Sequence, residues 1–223
     1  MKVGRYRDSL ECFTYCLKTI EEKSGSKYTD SKFAEVLGYA GYAYLKMKKY
    51  EYAKKMYLDA IKVIRNCVKE SNTFVNCWLD SANYWLALAD IYFDEKKYGD
   101  ALSCYNAAHG ELSKISSGKD GMIGDLLSRK GSCYLRLKDY ENAVKSLLEA
   151  LSFKLESNRN YEVDDAEIAE MRFELGLGFY RLDKHDIALE NWKKAIDVEM
   201  IHLSSESLVT VCIDYFLKLG ERV

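Results

Sequence analysis

A small residue, two spacers, an aromatic, a short polar turn, then alanine, a large residue and alanine: this order recurs four times in one register. It reads Gly41, Tyr44, Ala53, Tyr57, Ala60, and then Ala89, Tyr92, Ala101, Tyr105, Ala108. It returns as Gly131, Tyr134, Ala143, Leu147, Ala150 and as Gly176, Phe179, Ala188, Trp192, Ala195. Counted from the first small residue, the later positions fall at +3, +12, +16 and +19 in every copy. Such regularity restricts the chain to an array of like units, each of which mainly contacts its neighbours. It points to a binding scaffold and away from an enzyme.

The unit is read as a helix, a tight turn and an antiparallel helix. Apolar residues recur at three- and four-residue spacing almost throughout, and the chain contains no proline to interrupt a helix. Trp85, Leu88, Ala89 and Tyr92 share one helical face, and Ala101, Tyr105 and Ala108 share another. Between the helices lie the polar turns 46–49, 94–97, 136–139 and 181–184. The small residues allow close helix approach, and the aromatics are expected to fill the space between one unit and the next. Residues 1–223 therefore read as a single array: a partial unit over 1–24, units over about 30–70, 73–115, 120–157 and 164–200, and a terminal helix over 204–220. Asp30 or Ser31, Asp120, and Asp164 or Asp165 are candidate helix caps after the longer loops.

Charge and cysteine usage narrow the function classes. The net charge is -2 and the pI about 6.0, against the basic character usual for nucleic-acid binders. No segment approaches the ~20 apolar residues of a membrane span, and the N-terminus lacks the apolar region of a signal peptide. Seven cysteines without a Cys-x-x-Cys pair read as reduced thiols of a cytoplasmic protein. Cys12 and Cys16 stand one helical turn apart, but the three histidines, His109, His185 and His202, lie far from them. These cysteines are read as buried small apolar residues, and no metal or other cofactor is expected. The Gly-Lys-Asp-Gly stretch over 118–121 lacks the spacing of a phosphate-binding loop. No histidine has a nucleophile at a recognisable spacing, so no catalytic residue is assigned.

These residues resemble those of the tetratricopeptide repeats, with Trp85, Leu88, Ala89, Tyr92, Ala101, Tyr105 and Ala108 the best match. The resemblance implies an all-α fold, a right-handed α-solenoid of antiparallel helix pairs. The repeat is lengthened. Ala53, Ala101, Ala143 and Ala188 are spaced 48, 42 and 45 residues apart, where about 34 is usual. Long units of this kind are similar to those of kinesin light chains and of the Leu-Gly-Asn spindle-orientation adaptors, and also to those of bacterial peptide-pheromone receptors. Residues 5–16 align with the second helix of a unit, and Leu208, Val211, Cys212 and Tyr215 read as a first helix without a partner or as a terminal cap. The expectation is either a fragment of a longer array or ends that pair with a second chain.

The resemblance further implies that first helices line a concave groove. Its candidate residues are Glu35, Tyr39, Tyr42 and Lys46, then Asn83, Ala87, Asp90 and Asp94, then Asp125, Arg129, Ser132 and Arg136, then Glu170, Phe173, Glu174, Leu177 and Arg181. A partner peptide with a basic and then an acidic residue would complement this sequence of charges. Gly38, Tyr42, Ala87 and Asp125 do not supply the lysines and asparagines of a chaperone-tail clamp, and Arg129 alone fits that pattern. The expected function is an adaptor or scaffold that binds a peptide segment of a protein partner, with no nucleic-acid or membrane partner. The alternatives are a peptide-sensing regulator and a subunit that self-associates as a homodimer or larger assembly.

Overall fold

The computed structural model describes residues 2–24, 31–70, 75–115, 120–157 and 166–202. The expected terminal helix over 204–220, the candidate caps Asp30, Asp164 and Asp165, and Cys212 lie outside these residues. Among the described residues the secondary structure is nine helices and no strand: α1 Lys2–Ser24, α2 Ser31–Lys46, α3 Tyr50–Glu70, α4 Val75–Asp94, α5 Tyr98–Leu112, α6 Asp120–Arg136, α7 Tyr140–Ser157, α8 Ala166–Arg181 and α9 His185–His202. Asp120 is thus the first helical residue of α6 rather than a residue ahead of it. No described helix is long and apolar enough to cross a membrane.

The chain divides into two compact bodies, Met1–Ser117 and Gly118–Val223. In the first, α2 pairs with α3 and α4 with α5, while α1 packs on α2 and α3 on α4. In the second, α6 pairs with α7, α8 with α9, and α7 packs on α8. First helices also touch one another, α2 with α4 and α6 with α8.

All four hairpin turns close by the same hydrogen bonds. The backbone N–H groups of Lys49, Lys97, Asp139 and Lys184 donate to the carbonyls of Tyr44, Tyr92, Tyr134 and Phe179 at 2.8–2.9 Å. Those acceptors are the +3 aromatics of the repeat. Bonds of this reach end a helix through one residue in the left-handed region. That residue is Lys48, Lys96, Lys138 or Asp183, with φ of 57, 61, 64 and 57°. The +12 alanine then donates the first backbone bond of the second helix, as from Ala53 to Lys49 at 3.0 Å.

Inside each hairpin, the +16 residue packs where the first small residue has no side chain. A β-carbon on Gly41 would stand 2.8 Å from Tyr57, and one on Gly131 would stand 2.5 Å from Leu147. The +16 residues therefore lie within a unit, not only between units as the sequence pattern suggested. The reason is steric: the two helices approach so closely that one large residue fills the gap a β-carbon would need. Between hairpins the wedge is a different tyrosine. Tyr84 of α4 lies over Gly38 of α2, stacks on Tyr57 at 5.8 Å and donates to the Ala34 carbonyl at 3.4 Å. Beneath it run Phe33, Leu37, Ala60, Val63, Ile64, Cys67 and Cys77, a core that Leu17 and Ile20 of α1 also reach.

Two cysteines depart from expectation. Cys67, Cys77, Cys104 and Cys133 are buried, but Cys12 and Cys16 are exposed. Of α1, Leu17 and Ile20 reach the core, while Cys12 and Cys16, in the preceding turns, stay in contact with solvent.

Candidate functional site

In the first body, the faces of α2 and α4 enclose a cavity of about 470 Å³. Glu35, Gly38, Tyr39 and Tyr42 come from α2, Asp80, Asn83, Tyr84 and Ala87 from α4, and Tyr57 from α3. Tyr39 and Tyr42 remain 56% and 49% exposed, high for aromatic side chains beside a packed core. Tyr39 stacks on Phe13 at 6.1 Å, and the Lys46 ammonium stands 5.0 Å from the Tyr42 ring centroid. Burial, and then the neighbouring Glu35, push the Asp80 carboxyl up from its ordinary value. Burial pushes the Tyr57 hydroxyl up to about 12.

Glu35, Tyr39, Tyr42, Asn83 and Ala87 are thus brought to one place, while Lys46, Asp90 and Asp94 do not line it. Asp94 is exposed at the end of α4. Asp90 accepts a hydrogen bond from the Tyr105 hydroxyl at 2.7 Å, which joins the two helices of its own hairpin. Asp80 and Tyr84 escaped the sequence reading. Their signal was present, because Asp80, Asn83, Ala87, Asp90 and Asp94 follow helical spacing down one face.

The second body presents two cavities that share Glu170 and Glu174. The first, about 320 Å³, is lined by Asp125, Ser128, Arg129, Ser132, Lys154, Glu167 and Met171 besides the shared pair. Lys154 reaches into it from α7 and pairs with Asp125 at 2.7 Å and Glu167 at 2.5 Å, which ties together α6, α7 and α8. The second, about 430 Å³, is lined by Leu135, Arg136, Lys138, Tyr140, Phe173, Leu177 and Arg181. Arg129 and Arg136 therefore serve different cavities. Arg129 stands among carboxylates, and Arg136 stands with two further cations and an apolar wall.

Glu174 lies at the junction. The Ser132 hydroxyl donates to its carboxyl, with Oγ 2.8 Å from Oε1 and 2.7 Å from Oε2. Burial raises this carboxyl to about 7. Glu170 adds to the shift, and the Ser132 bond and the Arg136 charge oppose it. Glu174 is therefore drawn into the wall between α6 and α8 rather than held out as a free anion. Among the described residues, no group of three or more His, Cys, Asp or Glu side chains could hold a metal ion.

Comparison with known proteins places these helix pairs. The tetratricopeptide repeat family model matches residues 34–67, 82–108 and 124–156. No curated protein matches the sequence. Among solved structures, BtubC (BKLC) from P. vanneervenii superposes with a TM-score of 0.72 at 16% identity, over 92% of this chain and 77% of that one. The Podosopora anserina putative kinesin light chain, with nearly identical TPR-like repeats, gives 0.65 at 9% identity, over 91% and 90%. The apo quorum sensor NprR from B. thuringiensis gives 0.60 at 18% identity, over 98% of this chain and 55% of that one. At these identities the likeness is one of fold: the all-α helical-solenoid class of such repeats.

Proposed function

This chain carries tetratricopeptide repeats, and we propose that it is a non-catalytic scaffold whose first-helix faces bind a peptide segment of a protein partner. The observation that carries this reading is the pair Tyr39 and Tyr42, half exposed at the rim of a 470 Å³ cavity between two first helices. Tyrosine supplies large contact area at low entropic cost and is a favoured interface anchor. In the second body, Arg136, Phe173, Leu177 and Arg181 offer the same combination of apolar wall and polar rim. Glu35 and Asp80 in the first cavity would repel phosphate, which favours a polypeptide over a nucleic acid. Six free thiols among the described residues support a cytoplasmic setting.

The test is affinity capture from lysate, wild type beside the Arg129→Glu/Arg136→Glu double variant, with helicity checked by circular dichroism. A partner kept by the wild type and lost by the variant supports the first-helix face. Equal capture by both would remove the second body's face from the site.

The quorum sensor among the structural neighbours gives a second reading some support, in which the bound segment is a free signalling peptide. Binding of short synthetic peptides without a carrier protein would favour it.

A further inference from the structure

We propose that the cavity between α2 and α4 is a receptor for a basic side chain, arginine or lysine, of the bound segment. The inference rests on the peptide-binding reading above and adds the chemistry of one contact.

The lining is of one charge sign. Glu35 and Asp80 are its ionisable carboxylates, and no lysine or arginine lines the cavity. Neither carboxylate makes an ion pair or a side-chain hydrogen bond among the described residues, whereas Glu95 and Glu111 pair with nearby lysines. Asp80 is half-buried and Glu35 exposed beside it, so the two leave a negative field at the cavity that a cation brought by a partner would complement. The raised Asp80 carboxyl reflects the same burial and the same neighbour.

The remaining walls suit the stem and head of a long basic side chain. Tyr39, Tyr42, Tyr57 and Tyr84 bring four aromatic rings to one cavity, and Asn83 adds an amide. Aromatic faces attract ammonium and guanidinium groups within about 6 Å of the ring centroid. One of these rings already does so within the chain, since Lys46 stands 5.0 Å from the centroid of Tyr42. A volume of about 470 Å³ exceeds what one such side chain fills, so backbone of the segment would enter as well. The cavity's acidic and aromatic lining contrasts with that of the second body, where Arg136, Lys138 and Arg181 already stand beside Glu170 and Glu174.

The test is selection of a random twelve-residue peptide library on the folded full chain, followed by affinity measurement on synthetic binders. The expected binders carry an arginine or lysine whose replacement by citrulline or norleucine weakens binding about tenfold. In the Glu35→Gln/Asp80→Asn variant, that replacement should cost less than about twofold, the signature of a lost pairwise coupling. The neutral-peptide arm on wild type needs no variant, so a folding defect would not hide the result. Binders that lose affinity in Tyr42→Ala but tolerate citrulline or norleucine would overturn this proposal and leave the peptide-binding reading standing. An equal cost of neutralisation in wild type and a folded double variant would also overturn it. A selection that yields no binder would overturn both.

Discussion

The indole of Trp192 occupies the space into which a β-carbon on Gly176 would project, and its N–H donates to the Phe173 carbonyl at 3.1 Å. Trp192 is completely buried, so it has no room to retreat. Gly176→Ala should therefore destabilise the chain by about 1–3 kcal/mol through overpacking. Gly110 on α5 faces open space, and Gly110→Ala should stabilise by roughly 0.5–1 kcal/mol. Urea unfolding midpoints of the two variants should move in opposite directions. A tolerated Gly176→Ala would show that the hairpin does not depend on this close approach.

The turns hold lysine where glycine is the usual residue. Lys138 sits at φ 64° and is exposed, with its N–H bonded to the Leu135 carbonyl at 3.1 Å. Lys138→Gly removes the β-carbon penalty of the left-handed region and should stabilise by up to about 1 kcal/mol. Asp183→Gly should gain less, because aspartate tolerates that region better. Thermal midpoints of the two variants measure the difference.

Glu174 makes stability depend on pH. Its carboxyl rises from 4.5 to about 7 on folding, so between these values the folded chain holds a proton that the unfolded chain releases. Stability should then fall as pH rises from about 4.5 to about 7, by up to about 3 kcal/mol. Glu174→Gln should flatten this dependence and raise stability at pH 8. Denaturant titrations at a series of pH values would show it.

Lys54 is only 7% exposed, pairs with Glu95 through oxygens at 3.0 and 3.2 Å, and stands 5.2 Å from the Tyr92 ring centroid. It joins α3 to the turn after α4. Lys54→Ala should cost about 1–3 kcal/mol, below the usual loss for a broken buried pair because Lys97 still holds Glu95 at 2.9 Å. Lys54→Met should cost less, since the aliphatic stem keeps its packing. Equal losses for both variants would assign the whole effect to charge.

The hairpins were legible because their residues recur. Gly41, Gly131 and Gly176 announced close helix approach, and the polar turns stood out between periodic apolar faces. The partner of each glycine was less plain. Spacing alone gives an aromatic a face but not a neighbour, and Tyr57 meets both Gly41 in its own hairpin and Tyr84 in the next. The candidate site was legible in part. Tyr39, Tyr42 and Asn83 gather as helical spacing requires, but Asp90 is taken up by Tyr105 and Glu174 by Ser132. Lys154 was hidden because it comes from a second helix and reaches the cavity through a long flexible side chain.

The most direct measurement places a photo-crosslinking amino acid at Tyr42, on the first helix α2, or at Leu58, which is 45% exposed on the second helix α3. Each variant is irradiated in lysate, and the adducts are sequenced by mass spectrometry. The account predicts a defined peptide segment of a partner attached at position 42 and none at position 58. Adducts at position 58 with position 42 silent would contradict it.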